Sequence, residues 1–250
     1  MKALSKTLIL LILASLFFST SAFAKSDQAK LSLVSLGDSI PYGYNLTNND
    51  NATTSKEAFP YLIGEATDMR VRNLAIPGWR TDQMLNALQN DQKYRQAVRH
   101  ADTITLTIGN NDLLAALRTA QARSGGSQDL FLFYLQQQLE ESDLFTNLGT
   151  IITEIRSLTS APVVVYNVYN PFQKTDPLHY VANSESVLPS INQHLLGFVG
   201  MLNTQHSNIL LADAYHAFGD NQQLYVIAGD IHPTVAGQQK LAEIAIKLIK

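Results

Sequence analysis

The sequence contains no cysteine among its 250 residues, so it forms no disulfide and offers no cysteine for a lipid anchor. An excess of basic residues is also missing. The formal net charge is −3 and the lysines and arginines form no stripe, which argues against a nucleic-acid partner. We find no internal repeat, no low-complexity tract and no spacing typical of metal ligands. A chain of this length can bury a large core in a single domain, and its stability must come from that core.

Long apolar runs are confined to the amino terminus. Lys2 and Lys6 precede an apolar run over residues 8–18, and residues 22–24 (Ala-Phe-Ala) have the spacing that a signal peptidase needs. The pattern predicts a signal peptide over residues 1–24 and one domain over residues 25–250; a buried amino-terminal helix is the alternative. Cleavage removes two lysines and no acid, which leaves 226 residues with a formal charge of −5. We expect an exported protein, periplasmic or secreted, with no stable membrane anchor after cleavage.

Short apolar runs alternate with segments of helical period along the rest of the chain. The runs cover residues 31–36, 71–76, 103–108, 162–168 and 208–212. Such alternation predicts an α/β fold with a mainly parallel sheet of about five strands, covered by helices on both faces. In the third run, threonines at positions 103, 105 and 107 alternate with apolar residues. We expect that strand to be half polar, with its threonines packed against small neighbours.

The helical segments have recognisable faces and boundaries. Phe59, Leu62, Ile63 and Ala66 share one face of a helix, as do Leu241, Ile244, Ala245 and Leu248. Thr81 is a plausible helix start, and residues 127–158 are long enough for two helices after the break at residues 125–126 (Gly-Gly).

Four segments place chemically useful residues where strands end or the last helix begins. These are residues 37–39 (Gly-Asp-Ser), 76–79 (Ile-Pro-Gly-Trp), 109–112 (Gly-Asn-Asn-Asp) and 229–234 (Gly-Asp-Ile-His-Pro-Thr). Because the carboxyl ends of parallel strands meet at one edge of a sheet, a serine, a glycine, an asparagine and a histidine should reach the same rim.

Those four residue types can assemble an acyl-transfer site. The Ser39 hydroxyl is a weak nucleophile until a base such as His232 removes its proton. The developing oxyanion needs fixed donors, which the Gly78 N–H, the Asn111 amide and the Ser39 N–H would provide. Each residue also has a structural interpretation. Ser39 or Asn111 could cap a helix, Gly78 could serve only a turn, and His232 could simply precede the last helix.

The four segments resemble the sequence blocks of the SGNH or GDSL hydrolases, a family of GDSL-like lipases and esterases that includes lysophospholipase-like members. The blocks run from residue 36 to residue 235 in the family's order. Residues 37–39 match the Gly-Asp-Ser block, although Ile40 stands where the family has leucine, and residues 109–112 match Gly-x-Asn-Asp completely. Gly78 matches the lone-glycine block, and residues 232–233 match the histidine and proline of the last block.

The resemblance implies a role for each matching residue. Ser39 would be the nucleophile and His232 the general base. Gly78 and Asn111 would donate to the oxyanion together with the Ser39 N–H. It also implies a flavodoxin-like three-layer α/β/α sandwich.

The last block departs from the family's usual Asp-x-x-His, because position 229 is glycine. The nearest acid is Asp230, two residues before His232. Residues two apart in an extended segment point to the same side, so the two side chains would lie parallel rather than converge. Either Asp230 reaches the imidazole from a different local turn, or a backbone carbonyl or a water orients it, or the site is impaired. We therefore expect Asp230 to be a weak orienting residue.

The combined interpretation is an exported serine esterase or lipase that acts on small-molecule or lipid esters and needs no cofactor. A carbohydrate O-acetyl esterase with the same machinery is one alternative, and a catalytically weak binding module is another. Several aromatic side chains could border the rim, which mildly favours apolar acyl chains. They are Tyr42, Tyr44, Trp79, Phe131, Phe133, Tyr169 and Phe172. The sequence does not indicate the oligomeric state.

Overall fold

Five short strands form a single parallel sheet in the computed structural model, which describes residues 30–46, 50–173 and 180–250, except for the side chains of residues 180–183. The strands are β1 (Ser32–Gly37), β2 (Arg70–Asn73), β3 (Thr103–Thr107), β4 (Val163–Tyr166) and β5 (Ile209–Ala212). Their order is β2-β1-β3-β4-β5, and every neighbouring pair is parallel. This is the flavodoxin-like strand order, so the predicted fold class is confirmed. The predicted signal peptide lies outside the described residues.

Eleven helices are found in the described ranges. They are α1 (Ser39–Tyr42), α2 (Phe59–Thr67), α3 (Thr81–Asn90), α4 (Gln92–Arg99), α5 (Asn110–Ser124), α6 (Gln128–Glu141), α7 (Leu144–Leu158), α8 (Tyr180–His206), α9 (Ala214–Phe218), α10 (Gln222–Tyr225) and α11 (Val235–Ile249). Among these, none is long and apolar enough to cross a membrane.

The helices cover the sheet on both faces and produce two separate cores. On one face, α3, α4, α7 and α8 pack against Val34, Leu36, Ile104 and Leu106. On the other, α2, α9 and α11 pack against Leu33, Val164 and Tyr166. A smaller apolar cluster lies between α5 and α6, at the side of the molecule that carries the candidate site. Residues Leu31–Lys250 form one compact unit.

Most predicted helix features are confirmed. The two apolar faces fall within α2 and α11, α3 begins at Thr81, and α6 and α7 follow the glycine pair that ends α5. The second and fourth runs are shorter as strands than predicted. Strand β2 ends at Asn73, although the Leu74 and Ile76 N–H groups still donate to the β1 carbonyls of Ser35 and Gly37 at 2.8 and 3.0 Å, and β4 ends at Tyr166.

The prediction of a half-polar third strand is wrong, because all five residues of β3 are buried. The accompanying expectation of small neighbours is confirmed for two of the three threonines on the β1 side. Thr105 pairs with Ser35 and Thr107 pairs with Gly37, whereas Thr103 pairs with Leu33. The hydroxyls of Thr105 and Thr107 have no hydrogen-bond partner among the described residues, so they cost stability rather than add to it.

Candidate active site

The nucleophile candidate Ser39 lies at the carboxyl end of β1, next to the point where the strand order reverses. Gly37 permits this position. A Cβ there would lie only 2.6 Å from the carbonyl oxygen of Thr107, so a larger residue would push β1 away from β3. The Asp38 carboxylate then accepts the backbone N–H of Ile40 at 2.9 Å and starts helix α1 with Ser39 as its first residue. The hydroxyl therefore stands where ligands bind in sheets of this kind.

The structure brings His232 to Ser39 across 193 positions of sequence. The His232 Nε2 lies 2.9 Å from the Ser39 Oγ, and both residues are nearly buried, with 9% and 8% of their surfaces exposed. Hydrogen bonds fix the chain at His232 and just after it. The Ile227 N–H donates to the His232 carbonyl at 2.9 Å, and Thr234 caps helix α11 two residues later. A nucleophile and a base thus stand within hydrogen-bond reach of each other.

Asp230 also contacts the histidine, through a turn rather than an extended segment. Its Oδ1 lies 2.7 Å from the His232 Nδ1, which is the ring nitrogen opposite the serine. The Asp230 N–H donates to the Ile227 carbonyl at 3.0 Å, and Gly229 has a φ of 73°, a value that favours glycine. The expectation of parallel, non-converging side chains is therefore wrong. The first of the three alternatives, a different local turn, describes the observed geometry.

Two residues that the sequence analysis did not connect with the histidine hold this turn in place. Asn45 donates from Nδ2 to the Asp230 Oδ2 at 2.7 Å, and the Tyr169 hydroxyl donates to the Ile231 carbonyl at 2.7 Å. Asn45 has no motif around it that would have identified it. Tyr169 follows β4 closely, so the rule that ligand sites form at strand ends is the signal that could have identified it.

The three oxyanion candidates are Ser39 at the start of α1, Asn111 in the first turn of α5 and Gly78 in the loop before α3. The Asn111 Nδ2 donates to the Trp79 carbonyl at 2.9 Å, which places its amide beside the loop that carries Gly78. An amide nitrogen carries two hydrogens, so one remains for another acceptor. Neither the Ser39 N–H nor the Gly78 N–H has an acceptor among the described residues. Asn111 lies in the first turn of α5, which begins one residue earlier, so it is not the capping residue.

A buried carboxylate ties the glycine loop to the asparagine. Asp112 accepts the Thr81 N–H at 3.1 Å and the Thr81 hydroxyl at 2.8 Å, and Asn147 donates to the same hydroxyl at 3.2 Å. These bonds fix the start of α3 against the start of α5. The Gly78 loop precedes α3 directly and Asn111 lies in α5, so the network sets the distance between two of the oxyanion candidates.

The three carboxylates around the site have different charge environments. Burial raises the pKa of Asp38 to about 6, although Ile40 and Asn110 donate hydrogen bonds to its carboxylate. Burial also raises the pKa of Asp112, against the bonds from Thr81. Partial burial acts on Asp230 in the same direction, but the bond from Asn45 and the contact with His232 outweigh it and hold the pKa below its ordinary value. Asp230 therefore stays ionised beside the histidine at neutral pH.

The seven aromatic residues named from the sequence lie in different places. Tyr42 lies beside Tyr44 and Trp79 beside Tyr94 of α4, with 6.5 and 6.0 Å between ring centroids. The Tyr44 ring lies 5.2 Å from the His232 ring between centroids, and Tyr169 and Phe172 line a cavity beside the site. Phe131 is buried in the cluster between α5 and α6, whereas Phe133 is 62% exposed.

The remaining histidines lie apart from this site or outside the described residues. His216 is exposed and pairs with Asp213, with 2.6 Å between Nδ1 and Oδ2. His194 contacts the Phe145 ring on α7, and His179 lies outside the described residues. In the ranges that the structure describes, no group of three or more acidic or histidine side chains could hold a metal ion.

Comparison with known proteins identifies the class of this chain. The model of the GDSL-like lipase/acylhydrolase family matches residues 35–240, which is most of the sequence. The chain therefore belongs to the GDSL-like lipase/acylhydrolase family of hydrolases. All four candidate blocks lie within the matched residues.

Individual relatives are similar to this chain at low sequence identity. The uncharacterized protein YpmR of Bacillus subtilis (strain 168) is 28% identical over 182 residues. These residues are 72% of this chain and 66% of that protein, so the match spans just under two thirds of the length of YpmR. The lipase Lip_vut3 from a goat rumen metagenome superposes with a TM-score of 0.66 at 22% identity, over 88% of this chain and 97% of the lipase. A catalytic mutant of Axe2, an acetylxylan esterase from Geobacillus stearothermophilus, gives 0.55 at 17% identity, over 88% and 94%. Since a lipase and an acetyl esterase share this fold, the fold alone does not determine the acyl group.

Proposed function

We propose that this protein is a serine esterase that hydrolyses carboxylic esters through an acyl-enzyme. The observation that supports this most is the continuous chain of contacts from Asp230 to His232 Nδ1, and from His232 Nε2 to the Ser39 hydroxyl. The carboxylate keeps the proton on Nδ1 and leaves Nε2 free to act as a base. A binding module would have no need of this arrangement.

In the first half of the reaction, the Ser39 Oγ attacks the ester carbonyl carbon while His232 Nε2 takes the hydroxyl proton. The carbonyl oxygen becomes an oxyanion, which accepts hydrogen bonds from the Ser39 N–H, the Gly78 N–H and the second amide hydrogen of Asn111. The intermediate collapses, the bond to the alcohol oxygen breaks, and the imidazolium returns its proton to the departing alcohol.

In the second half, water attacks the acyl-enzyme carbonyl carbon and gives a proton to His232. Collapse of the second intermediate breaks the bond to Oγ, which takes back the proton as the carboxylic acid leaves. The alcohol leaves with the proton that came from Ser39, and water supplies the proton that restores the hydroxyl, so the cycle balances without a cofactor. Asp230 stabilises the imidazolium in both halves because it remains ionised.

We further propose that the protein works outside the cytoplasm, after cleavage between residues 24 and 25. The charged start, the apolar run and the small residues at the cleavage position support this. Sequencing the amino terminus of the protein recovered from an exporting bacterial host tests it. A mature protein that begins at Lys25 is expected, and an intact Met1 in the exported fraction would contradict it.

The nucleophile can be tested by covalent labelling. A fluorophosphonate probe should label the purified protein, with the adduct on Ser39 by mass spectrometry, and turnover of 4-nitrophenyl acetate or butyrate should disappear in Ser39→Ala. Ser35→Ala is a matched control, since Ser35 is buried in β1 without a hydrogen-bond partner among the described residues and should not affect labelling. Undiminished esterase activity in folded Ser39→Ala would overturn the assignment.

A further inference from the structure

An apolar cavity lies between α5 and α8, directly beside the candidate site. Its walls are leucine, isoleucine and valine side chains at helical spacing on each of the two helices. They are Leu113, Leu114 and Leu117 from α5, and Val187, Leu188 and Ile191 from α8. The spacing of three and four residues places each set in a single stripe, so the two stripes form opposite walls of one channel.

One end of this cavity borders the reacting groups. Ile40, Asn110 and Ile231 line it there, and each is the sequence neighbour of a site residue: Ser39, Asn111 and His232 respectively. Asn110 is also fixed, because its Nδ2 donates to the Asp38 carboxylate at 3.0 Å. A group attached to an ester carbonyl at Ser39 therefore meets an apolar space next to the nucleophile.

The far end of the cavity meets a second, more open groove between α6 and α8. Leu135, Val187 and Ile191 line both spaces, so they form the boundary between them. The other residues of the groove mix polar side chains, such as Gln136, Glu140 and Ser190, with apolar ones, such as Leu132 and Phe145. The apolar environment therefore weakens beyond this boundary.

The dimensions of the cavity limit what it can hold. Its enclosed volume is about 70 Å³. A cavity of about 150 Å³ accommodates benzene, so the enclosed part holds about three carbons. The α5 stripe from Asn110 to Leu117 spans seven residues, or about 10 Å at 1.5 Å per residue. With carbon–carbon bonds of about 1.52 Å and angles near 111°, that length corresponds to about eight carbons.

We propose that this cavity binds the acyl chain of the substrate and selects saturated acyl groups of about four to eight carbons over acetyl. The inference rests on the proposed esterase function. It deepens that function by naming the acyl part of the substrate. An acetyl group leaves the stripe uncovered, whereas each added methylene removes apolar surface from water, which is worth about fourfold in kcat/KM if the contact persists in the transition state. Beyond eight carbons the chain enters the more open and more polar groove, where each methylene stays partly in water and the gain is smaller.

The test is a series of 4-nitrophenyl esters from acetate to dodecanoate with the full protein, all below their micelle-forming concentrations. Butyrate should exceed acetate in kcat/KM by about fifteenfold, for two methylenes, and the increase per methylene should drop beyond octanoate. A profile highest at acetate, or one that rises as steeply from octanoate to dodecanoate as from acetate to octanoate, would overturn the inference.

Two variants test the position of the chain. Val187→Phe narrows the far end of the cavity and should lower the ratio of octanoate to acetate activity by about tenfold or more. Leu196→Phe is the matched control, since Leu196 is on the same helix but 49% exposed and outside the cavity, and it should keep the wild-type ratio. Leu117→Ala widens the cavity and should move the preference toward longer chains. If Val187→Phe does not fold, the direction of the shift in Leu117→Ala alone supports or overturns the inference.

The outcomes separate this inference from the proposed function. Turnover of acetate with labelling of Ser39, but without the length dependence or the shifts in the variants, would overturn the inference and leave the esterase function standing. Absence of turnover on every ester, together with absence of labelling, would overturn both.

Discussion

Replacing Asp230 with asparagine is the most informative perturbation of this site. Asparagine has nearly the same shape as aspartate, but it has no charge and carries an NH₂ donor in place of one carboxylate oxygen. The carboxylate acts purely as an acceptor. Its Oδ1 accepts from the Ile231 N–H at 2.6 Å and faces the His232 Nδ1 at 2.7 Å, and its Oδ2 accepts from Asn45 at 2.7 Å. The asparagine amide has one oxygen acceptor and one NH₂ donor. Its NH₂ group must therefore face either the His232 Nδ1 or the Asn45 Nδ2, where the carboxylate had accepted a hydrogen bond.

Neither orientation of the new amide is satisfactory. If its NH₂ group faces His232, the imidazole must carry its proton on Nε2, and it can no longer take the proton of Ser39. If the NH₂ group faces Asn45, that side chain must rotate, and it then loses its bond from the Asn51 Nδ2 at 2.9 Å. Even in this second case, the negative charge beside the imidazolium is gone.

The size of the effect follows from that charge. Unit charges about 4 Å apart interact by about 4 kcal/mol at an effective dielectric constant of about 20, which suits a pair near the surface. That energy corresponds to about three powers of ten in rate. The result lies below the roughly 10⁴-fold loss typical of a deeply buried triad acid, consistent with the 21% exposure of the Asp230 side chain. We therefore expect Asp230→Asn to lower kcat/KM about a thousandfold.

The assay compares wild type, Asp230→Asn and His232→Ala on one activated ester across pH 5 to 9, with circular dichroism and thermal melting to check the fold. Asp213→Asn is the matched control. It removes the same charge from the exposed Asp213–His216 pair, which is remote from Ser39, and should leave kcat/KM unchanged. His232→Ala should be at least as damaging as Asp230→Asn. A loss of less than about tenfold in folded Asp230→Asn would refute the reasoning and assign the orienting role to a carbonyl or a water.

Two further predictions concern the asparagine and the buried acid. Asn111→Ala should lower kcat about a hundredfold or more with little change in KM, because its second amide hydrogen binds only the developing oxyanion; a near-native kcat would leave the amide as a brace for the Trp79 carbonyl. For Asp38, the folded-state pKa of about 6 exceeds the ordinary value of 3.8, so the folded state binds the extra proton between about pH 4 and 6, and stability falls as pH rises through that range. Above pH 6 the free energy of unfolding is therefore lower than below pH 4 by roughly 3 kcal/mol from this one group. The melting temperature of Asp38→Asn minus that of wild type should therefore increase from pH 4 to pH 8. A difference that does not change with pH would contradict this origin.

Much of the fold could be predicted because local pattern and tertiary environment agree. Strands β1, β3 and β4 are buried along their whole length, and helices α2 and α11 each turn one apolar stripe to the core. Helix α8 carries a similar stripe that the sequence analysis did not single out. Leu195, Val199 and Leu202 join the sheet core and Val187 and Ile191 line the cavity, and steps of four and three residues place all five on one face. Periodicity predicts such a helix, but it does not show that one stripe contacts two different surfaces.

The limits at the site have a different cause. The positions of Ser39 and Asn111 follow from strand ends, which topology places on one edge whatever the details of the loops. The orientation of His232 depends instead on the path of the four residues between Ile227 and His232, and on donors as distant in sequence as Asn45. The number of residues between Asp230 and His232 does not determine whether their side chains meet, because that depends on the backbone conformation between them. Gly229, with its positive φ, bends the backbone so that an acid two positions before the histidine reaches Nδ1. The glycine that breaks the family's Asp-x-x-His pattern is thus part of the turn that supplies the carboxylate.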